Sequence, residues 1–466
     1  MNDLTDLFLQ ERKTVKEVEE QDPRLVQIHN EMTAEEELRF IGINFDKGFL
    51  PQGYSNFYPQ DFIVEEIDQD GRVRTIQPEN FEMPPKKPGE KTIFADMVKV
   101  GLSTLEARQM LASKLHVKDD FIRFAGIKDK VAITSQRISI RSSKPEDVNA
   151  LDINGIFLKN FSWGKGTVKK GDNVGNRFSI VIRTPSTMGS GWLEKQIEGL
   201  QKEFYNFYYL QRFGTPRLLS AKLGRLILQK NFQGAVRTFM CDDGASWSVL
   251  LKNIRRNAAR HFGEWKEMKE IFSVLPYTFR LEIELCDALA EKPKDFASAL
   301  RVIKDQSFLW VQAYGSYMFN IHISNLIKSE EEMPESLPLL LHPEYKNVST
   351  YMRMLAKDRI KEFDAPLRAV LGTVPRSEAY TAKTIQPVKN LNAKVVENAV
   401  VLGFDLPTGS YATTFLSHMF VLNRGLPVPE WVCDNTVDSQ KVLGKGSLEN
   451  IDKKFGQFMV SRDETF

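Results

Sequence analysis

The chain has 466 residues, 42% hydrophobic and 11% aromatic, with 63 basic and 61 acidic side chains. That much apolar material excludes a disordered protein and supports about two or three cored domains, while a net charge of +2 leaves any polyanion surface to local segregation of charge. Three cysteines, Cys241, Cys286 and Cys433, lie far apart without CxxC spacing, which excludes a disulfide framework and a zinc ribbon.

The N-terminal stretch "MNDLTDLFLQERKTVKEVEEQ" is acidic and polar where a signal peptide would be basic and then apolar, and no apolar run approaches the roughly 18 residues of a membrane span. A helical arm, a cytoplasmic address and no membrane partner are expected. From Phe57 the segment "FYPQDFIVEEIDQDGRV" has strand character and ends at the turn signal Asp70-Gly71. The proline- and lysine-rich "ENFEMPPKKPGEKT" breaks regular structure. Ser103 followed by Glu106 then fits a capping box, with Ala107, Leu111 and Leu115 repeating on one helical face. "DFIRFAGI" and "SQRISIRSS" read as strands on either side of a turn that carries Asp129 between Lys128 and Lys130. A basic run follows, "KGTVKKGDNVGNRFSIVIR", in which Lys169, Lys170 and Arg177 are candidate contacts to a polyanion backbone. Leu193, Ile197, Leu200 and Phe204 mark a helical face, leading into "YNFYYLQRFGTPR", where aromatic rings alternate with Asn206, Gln211 and Arg212. That mixture suits a nucleotide pocket. From about 216 to 375 amphipathic helices dominate, with Arg255 and Arg256 on "LLKNIRRNAARHF" as further backbone candidates. Strand character returns at "AVVLGFDLPTGSYATTFLSHMF", so the helical part reads as an insertion.

Scattered histidines without ligand spacing, no GxxxxGK[ST] and no GxSxG give no metal site, nucleotide cofactor or serine triad. Carboxylates remain. Asp61, Glu65 and Glu66 of "DFIVEE" read as strand salt bridges, whereas Asp129 has two adjacent ammonium groups that favour its ionised form.

"FAGIKDKVAITSQ", 124–136, resembles the central motif of the TruD family of tRNA pseudouridine synthases, and "YPQDFIVEE", "GDNVGNRFSIVIR", "NFYYLQRFG" and "FDLPTGSYATTFL" resemble further family segments in the same order, as does "QAYGSYMFNIHIS". The resemblance spans roughly 55–425. It implies an α+β fold, a mixed, largely antiparallel sheet flanked by helices; together with the elements above, the chain is expected to divide into an N-terminal arm 1–36, catalytic parts 37–215 and 376–425, a helical insertion 216–375 and an extension 426–466, the arm and the extension lying outside the resemblance. It also implies a cofactor-free isomerase acting on a uridine of tRNA, in the D arm, with Asp129 as nucleophile or base; a monomer is expected. Asn206 and Tyr208 would hold the target base, and Lys128, Gln211, Arg212 and Phe213 would build the pocket, Arg212 or Lys128 pairing Asp129 or a phosphate. Two positions depart from the family pattern: Asn56 stands where lysine is common, and Tyr208 where phenylalanine is usual. A catalytically inactive RNA-binding protein of the same fold, and a glycosidase pairing Asp129 with Glu65 or Glu66, are the competing readings.

Overall fold

The computed structural model describes residues 4–30, 32–45, 48, 50–186, 189–200, 203–375, 380–425 and 428–461. The chain forms two compact units, one from Phe49–Phe204 and Gln386–Thr465, the other from Met1–Gly48 and Tyr205–Ile385.

The first unit is built on a mixed sheet of ten strands: β1 (Gln52–Ser55), β2 (Phe62–Asp68), β3 (Thr92–Val100), β4 (Ile122–Phe124), β5 (Ile133–Arg141), β6 (Ile156–Gly164), β7 (Asn173–Arg183), β8 (Lys389–Val396), β9 (Ala399–Pro407) and β10 (Val421–Asn423). The main path runs β8-β9-β7-β2-β5-β3-β6, with β4 on β5 and β1 on β7 and β10. Only β2–β5 and β1–β10 are parallel, so the sheet is largely antiparallel, as expected. Alternation along β3 sends Ile93, Ala95 and Met97 to one face and Val98 and Val100 to the other. The first face is covered by helix α1 (Thr104–Lys114), whose Ala107 and Leu111 are fully buried. Ser103 and Glu106 cap that helix reciprocally, with Glu106 N on Ser103 Oγ at 3.1 Å and Ser103 N on Glu106 Oε2 at 2.7 Å. The second face is covered by Leu448, Ile451 and Phe455. The segment after residue 427, expected as an extension, is therefore part of this unit's core. It is fastened further by Arg183, which grips Asp61 through two hydrogen bonds (3.0 and 3.1 Å) and donates to Cys433 O and Asn435 Oδ1. The helix expected to reach Phe204 covers Ser190–Leu200, and Phe204 lies in a short strand, Glu203–Tyr205.

The second unit is helical. Helix α2 (Ser220–Leu228) packs on the 26-residue helix α3 (Lys304–Ser329). Their backbones approach so closely at Gly224 that a Cβ there would sit 2.1 Å from Trp310 O. The N-terminal helix Leu4–Gln21 is docked on this unit: Glu11 accepts hydrogen bonds from the backbone N–H groups of Tyr277 and Thr278 at 2.8 and 2.9 Å. Residues 205–215, expected with the sheet, group with the helices because Asn206 N donates to Thr384 O (2.8 Å) and Asn320 of α3 holds Tyr208. No helix among the described residues is long and apolar enough to cross a membrane.

Candidate active site

Asp129 sits in the turn between β4 and β5, and neighbouring elements hold that turn from several sides. Gln136, fully buried on β5, donates from Nε2 to Gly126 O at 2.9 Å and accepts from Thr104 Oγ1 at 3.2 Å. The same Thr104 hydroxyl, at the start of α1, accepts from Lys128 N at 2.9 Å. Lys99, fully buried on β3, donates to Asp129 O and to Leu102 O, each at 2.7 Å. Asn56, whose backbone is left-handed at φ +60, donates from its amide to Val131 O at 2.8 Å. Each bond satisfies a carbonyl or amide that a turn would otherwise leave to water, and together they fix the backbone on both sides of Asp129.

The electrostatics differ from those expected of a carboxylate between two lysines. Lys130 pairs with Glu106 (3.0 Å), and the buried Lys128 pairs with the buried Glu66 (3.0 Å) and hydrogen-bonds Asn176. Burial raises the Asp129 pKa above the ordinary carboxylate value, offset by Lys99, by its own backbone amide, and then by Lys128 and Arg424. Asp129 is nonetheless solvent-exposed. Both observations hold for a group that water reaches while dense protein around it removes much of the bulk dielectric. Lys99 is itself pushed down to about 8, chiefly by desolvation.

The other carboxylates of the region are committed elsewhere. Asp61 is bound by Arg183, Glu65 accepts from Ile76 N, and Glu66 accepts from Arg137 N while pairing Lys128. Glu65 and Glu66 are 3% and 2% exposed, so neither serves as the second acid of a glycosidase pair, and that reading loses its support.

Asn206, Tyr208, Gln211, Arg212 and Phe213 lie in the helical unit. Asn206 is buried; its Nδ2 donates to Lys383 O at 3.0 Å, while its Oδ1 meets no hydrogen-bond donor among the described residues. Asn320 clamps the Tyr208 backbone from both sides, accepting from Tyr208 N at 2.9 Å and donating to Tyr208 O at 2.8 Å. The Tyr208 ring stands edge-on to Phe319, and the Arg212 guanidinium lies 5.3 Å from its centroid while donating to Ser316 Oγ at 3.1 Å. Gln211 is exposed; Phe213, 1% exposed, is a core residue of the loop rather than a lining one.

Two backbone candidates are corrected. Arg255 is buried, donating to Phe239 O, Met240 O and Glu282 Oε1, because it shares the inward face of its helix with Ile254 and Ala258. Arg177 has its guanidinium fork filled by the cross-strand Asp405, at 2.9 and 3.0 Å. Lys128 likewise faces Glu66 rather than a phosphate. Lys169, Lys170 and Arg256 are exposed. Sequence reasoning missed Lys99 and Asn320. The first is signalled by a lone cation between Val98 and Val100 in an apolar strand, the second by its place in "QAYGSYMFNIHIS".

A fixed carboxylate at a sheet end, with a buried ammonium holding its backbone, defines a site for nucleophilic or general-base chemistry. A family model for tRNA pseudouridine synthase D (TruD) matches residues 56–339. The chain is 27% identical over 372 residues to a probable tRNA pseudouridine synthase D 1 of Methanocaldococcus jannaschii, covering 77% of this chain and 93% of that protein. It is 30% identical over 286 residues to a probable tRNA pseudouridine synthase D of Methanococcus maripaludis, covering 60% and 70%. The crystal structure of a putative TruD protein from Methanosarcina mazei shares the fold at a TM-score of 0.57 and 23% identity, over 83% of this chain and 98% of that one. The chain belongs to the TruD family.

Proposed function

We propose that this isomerase converts a uridine of tRNA, in the D arm, into pseudouridine, with Asp129 as the reacting carboxylate. The reaction breaks the bond from uracil N1 to the ribose C1′, turns the base in place, joins C5 to C1′ and moves the C5 proton to N1. A carboxylate serves it by attacking C1′ or by relaying the ribose 2′ proton, and afterwards by taking the proton from C5. The observation that carries this reading is the Asp129 turn: its backbone is held by strands and helix while the carboxyl is accessible and buffered by the Lys99 charge. Support for base recognition comes from Asn206 Oδ1, a buried acceptor suited to a pyrimidine N–H, and from the Tyr208 ring backed by Arg212 as a stacking surface for an unstacked base.

Asp129→Asn tests the assignment. With an unmodified tRNA transcript and primer-extension mapping of pseudouridine, we expect product in the D arm with the unaltered chain, and no product with the variant while fold and RNA binding persist. Product formed by the variant would overturn the role of Asp129. Binding without turnover by the unaltered chain would leave an inactive RNA-binding protein.

A further inference from the structure

Two stretches distant in sequence, 83–91 ("MPPKKPGEK") and 164–172 ("GKGTVKKGD"), come together at the Thr92 end of β3, the end opposite to Lys99 and the Asp129 turn. Lys91 N donates to Gly164 O at 3.2 Å, Thr92 Oγ1 to Gly166 O at 2.7 Å, and Trp163 Nε1 to Pro84 O at 2.9 Å. Lys165 packs against Gly89, where a Cβ would lie 3.6 Å from its Cε. The second stretch is also tied to the catalytic hairpin, through Val168 N to Ser139 Oγ (3.0 Å) and Gly171 N to Ala125 O (3.1 Å). Ala125 is four residues before Asp129.

Together these stretches carry six lysines, Lys86, Lys87, Lys91, Lys165, Lys169 and Lys170, against two acids, Glu90 and Asp172. All six lysines are exposed. Both acids are turned to their own backbone: Glu90 Oε2 accepts from Lys87 N at 2.9 Å and Asp172 Oδ2 from Lys169 N at 2.6 Å. Among the described residues none of the six ammonium groups has a carboxylate partner, in contrast to Lys128, Lys130 and Lys159. Lys86 instead stands 5.0 Å over the Trp163 ring. Flexible point charges without anionic partners, arrayed on hydrogen-bonded loops, match the spacing tolerance of a phosphodiester chain rather than the fixed geometry of a small anion.

We propose that the two stretches form one phosphate-binding ridge that holds the RNA backbone at a distance from the uridine presented to Asp129, toward the opposite end of β3. The inference rests on the functional reading above for its ligand, and its location comes from the loop contacts alone. Two triple variants test it, Lys86→Ala/Lys87→Ala/Lys91→Ala and Lys165→Ala/Lys169→Ala/Lys170→Ala, each with a matching Lys→Arg version. Binding of a fluorescent unmodified tRNA transcript is measured by anisotropy from low to physiological salt. Each alanine variant should weaken binding at least about tenfold near physiological salt and flatten the slope of log Kd against log salt by about two to three. The arginine versions should restore both. Unchanged affinity and slope in both alanine variants would overturn the ridge, and so would loss of affinity that arginine fails to restore, since that marks structural damage. If the unaltered chain makes no pseudouridine but its binding shows this lysine dependence, the ridge stands and the catalytic reading falls.

Discussion

Lys99 shows how a residue outside every recognisable motif governs one inside it. Its ammonium is wholly within protein, holds Asp129 O and Leu102 O, and is the largest charge offset to the desolvation of the Asp129 carboxyl. Asp129, Glu106, Lys128 and Lys130 are the charged groups around it, the acids favouring its proton and the lysines opposing it. With its pKa lowered from 10.5 to about 8, Lys99 is charged below that pH and neutral above it. Turnover should therefore decline as pH rises through about 8 and, because the Asp129 pKa is raised, fail on the acid side above the ordinary carboxylate range. Lys99→Arg should carry the alkaline limb to higher pH, and Lys99→Met should abolish that limb while lowering kcat throughout. A pH–rate profile of Lys99→Met with the limb intact would show that another group titrates there. Stability moves the other way: between the two Lys99 pKa values the unfolded chain binds the extra proton, so unfolding free energy gains with pH across that window. At this scale the sequence exposed Asp129 through its motif. It hid the sign of its electrostatics, because the partners of Lys128 and Lys130 are Glu66 and Glu106, distant in the chain.

Among the elements, the capping box at Ser103 and the strands around Asp129 were legible because their determinants are local: a hydroxyl three residues from a carboxylate, and side chains alternating with period two. Arg255 was misplaced because a basic residue on an amphipathic helix is ordinarily outward. Its position four residues after Leu251 and three before Ala258 was the available signal that it faces inward. The α2–α3 contact depends on a glycine for a reason that no motif conveys, since only the packed pair shows Trp310 O against Gly224. Gly224→Ala should force the helices apart and cost about 1–3 kcal/mol of stability, read as a lowered urea midpoint of the helical unit. An unchanged midpoint would mean that the backbones separate freely.

For the molecule as a whole, the sequence conveyed a sheet interrupted by helices but left residues 428–461 unassigned, their apolar positions being few and separated by polar ones. Leu448, Ile451 and Phe455 do recur at three and four residues, and that stripe is what closes the second face of the sheet. Arg183, at the end of β7, ties this segment through Cys433 and Asn435 to Asp61 in the turn just before β2. Arg183→Ala would leave Asp61, itself fully buried, without its cation, at a cost of about 3–5 kcal/mol. Denaturant unfolding should show it, and replacing Asp61 and Arg183 together by apolar residues should recover much of the loss. A single variant as stable as the parent would mean that the segment is held by its apolar stripe alone.

The Thr104 hydroxyl, shared between Gln136 and the Lys128 amide, gives the Asp129 turn no thermal life of its own. Warming cannot loosen it without fraying the start of α1 and disturbing β5, so inactivation and cooperative melting should fall at one temperature, with no dormant but folded species between them. Paired assays of residual activity and circular dichroism along the same heating ramp would reveal any gap.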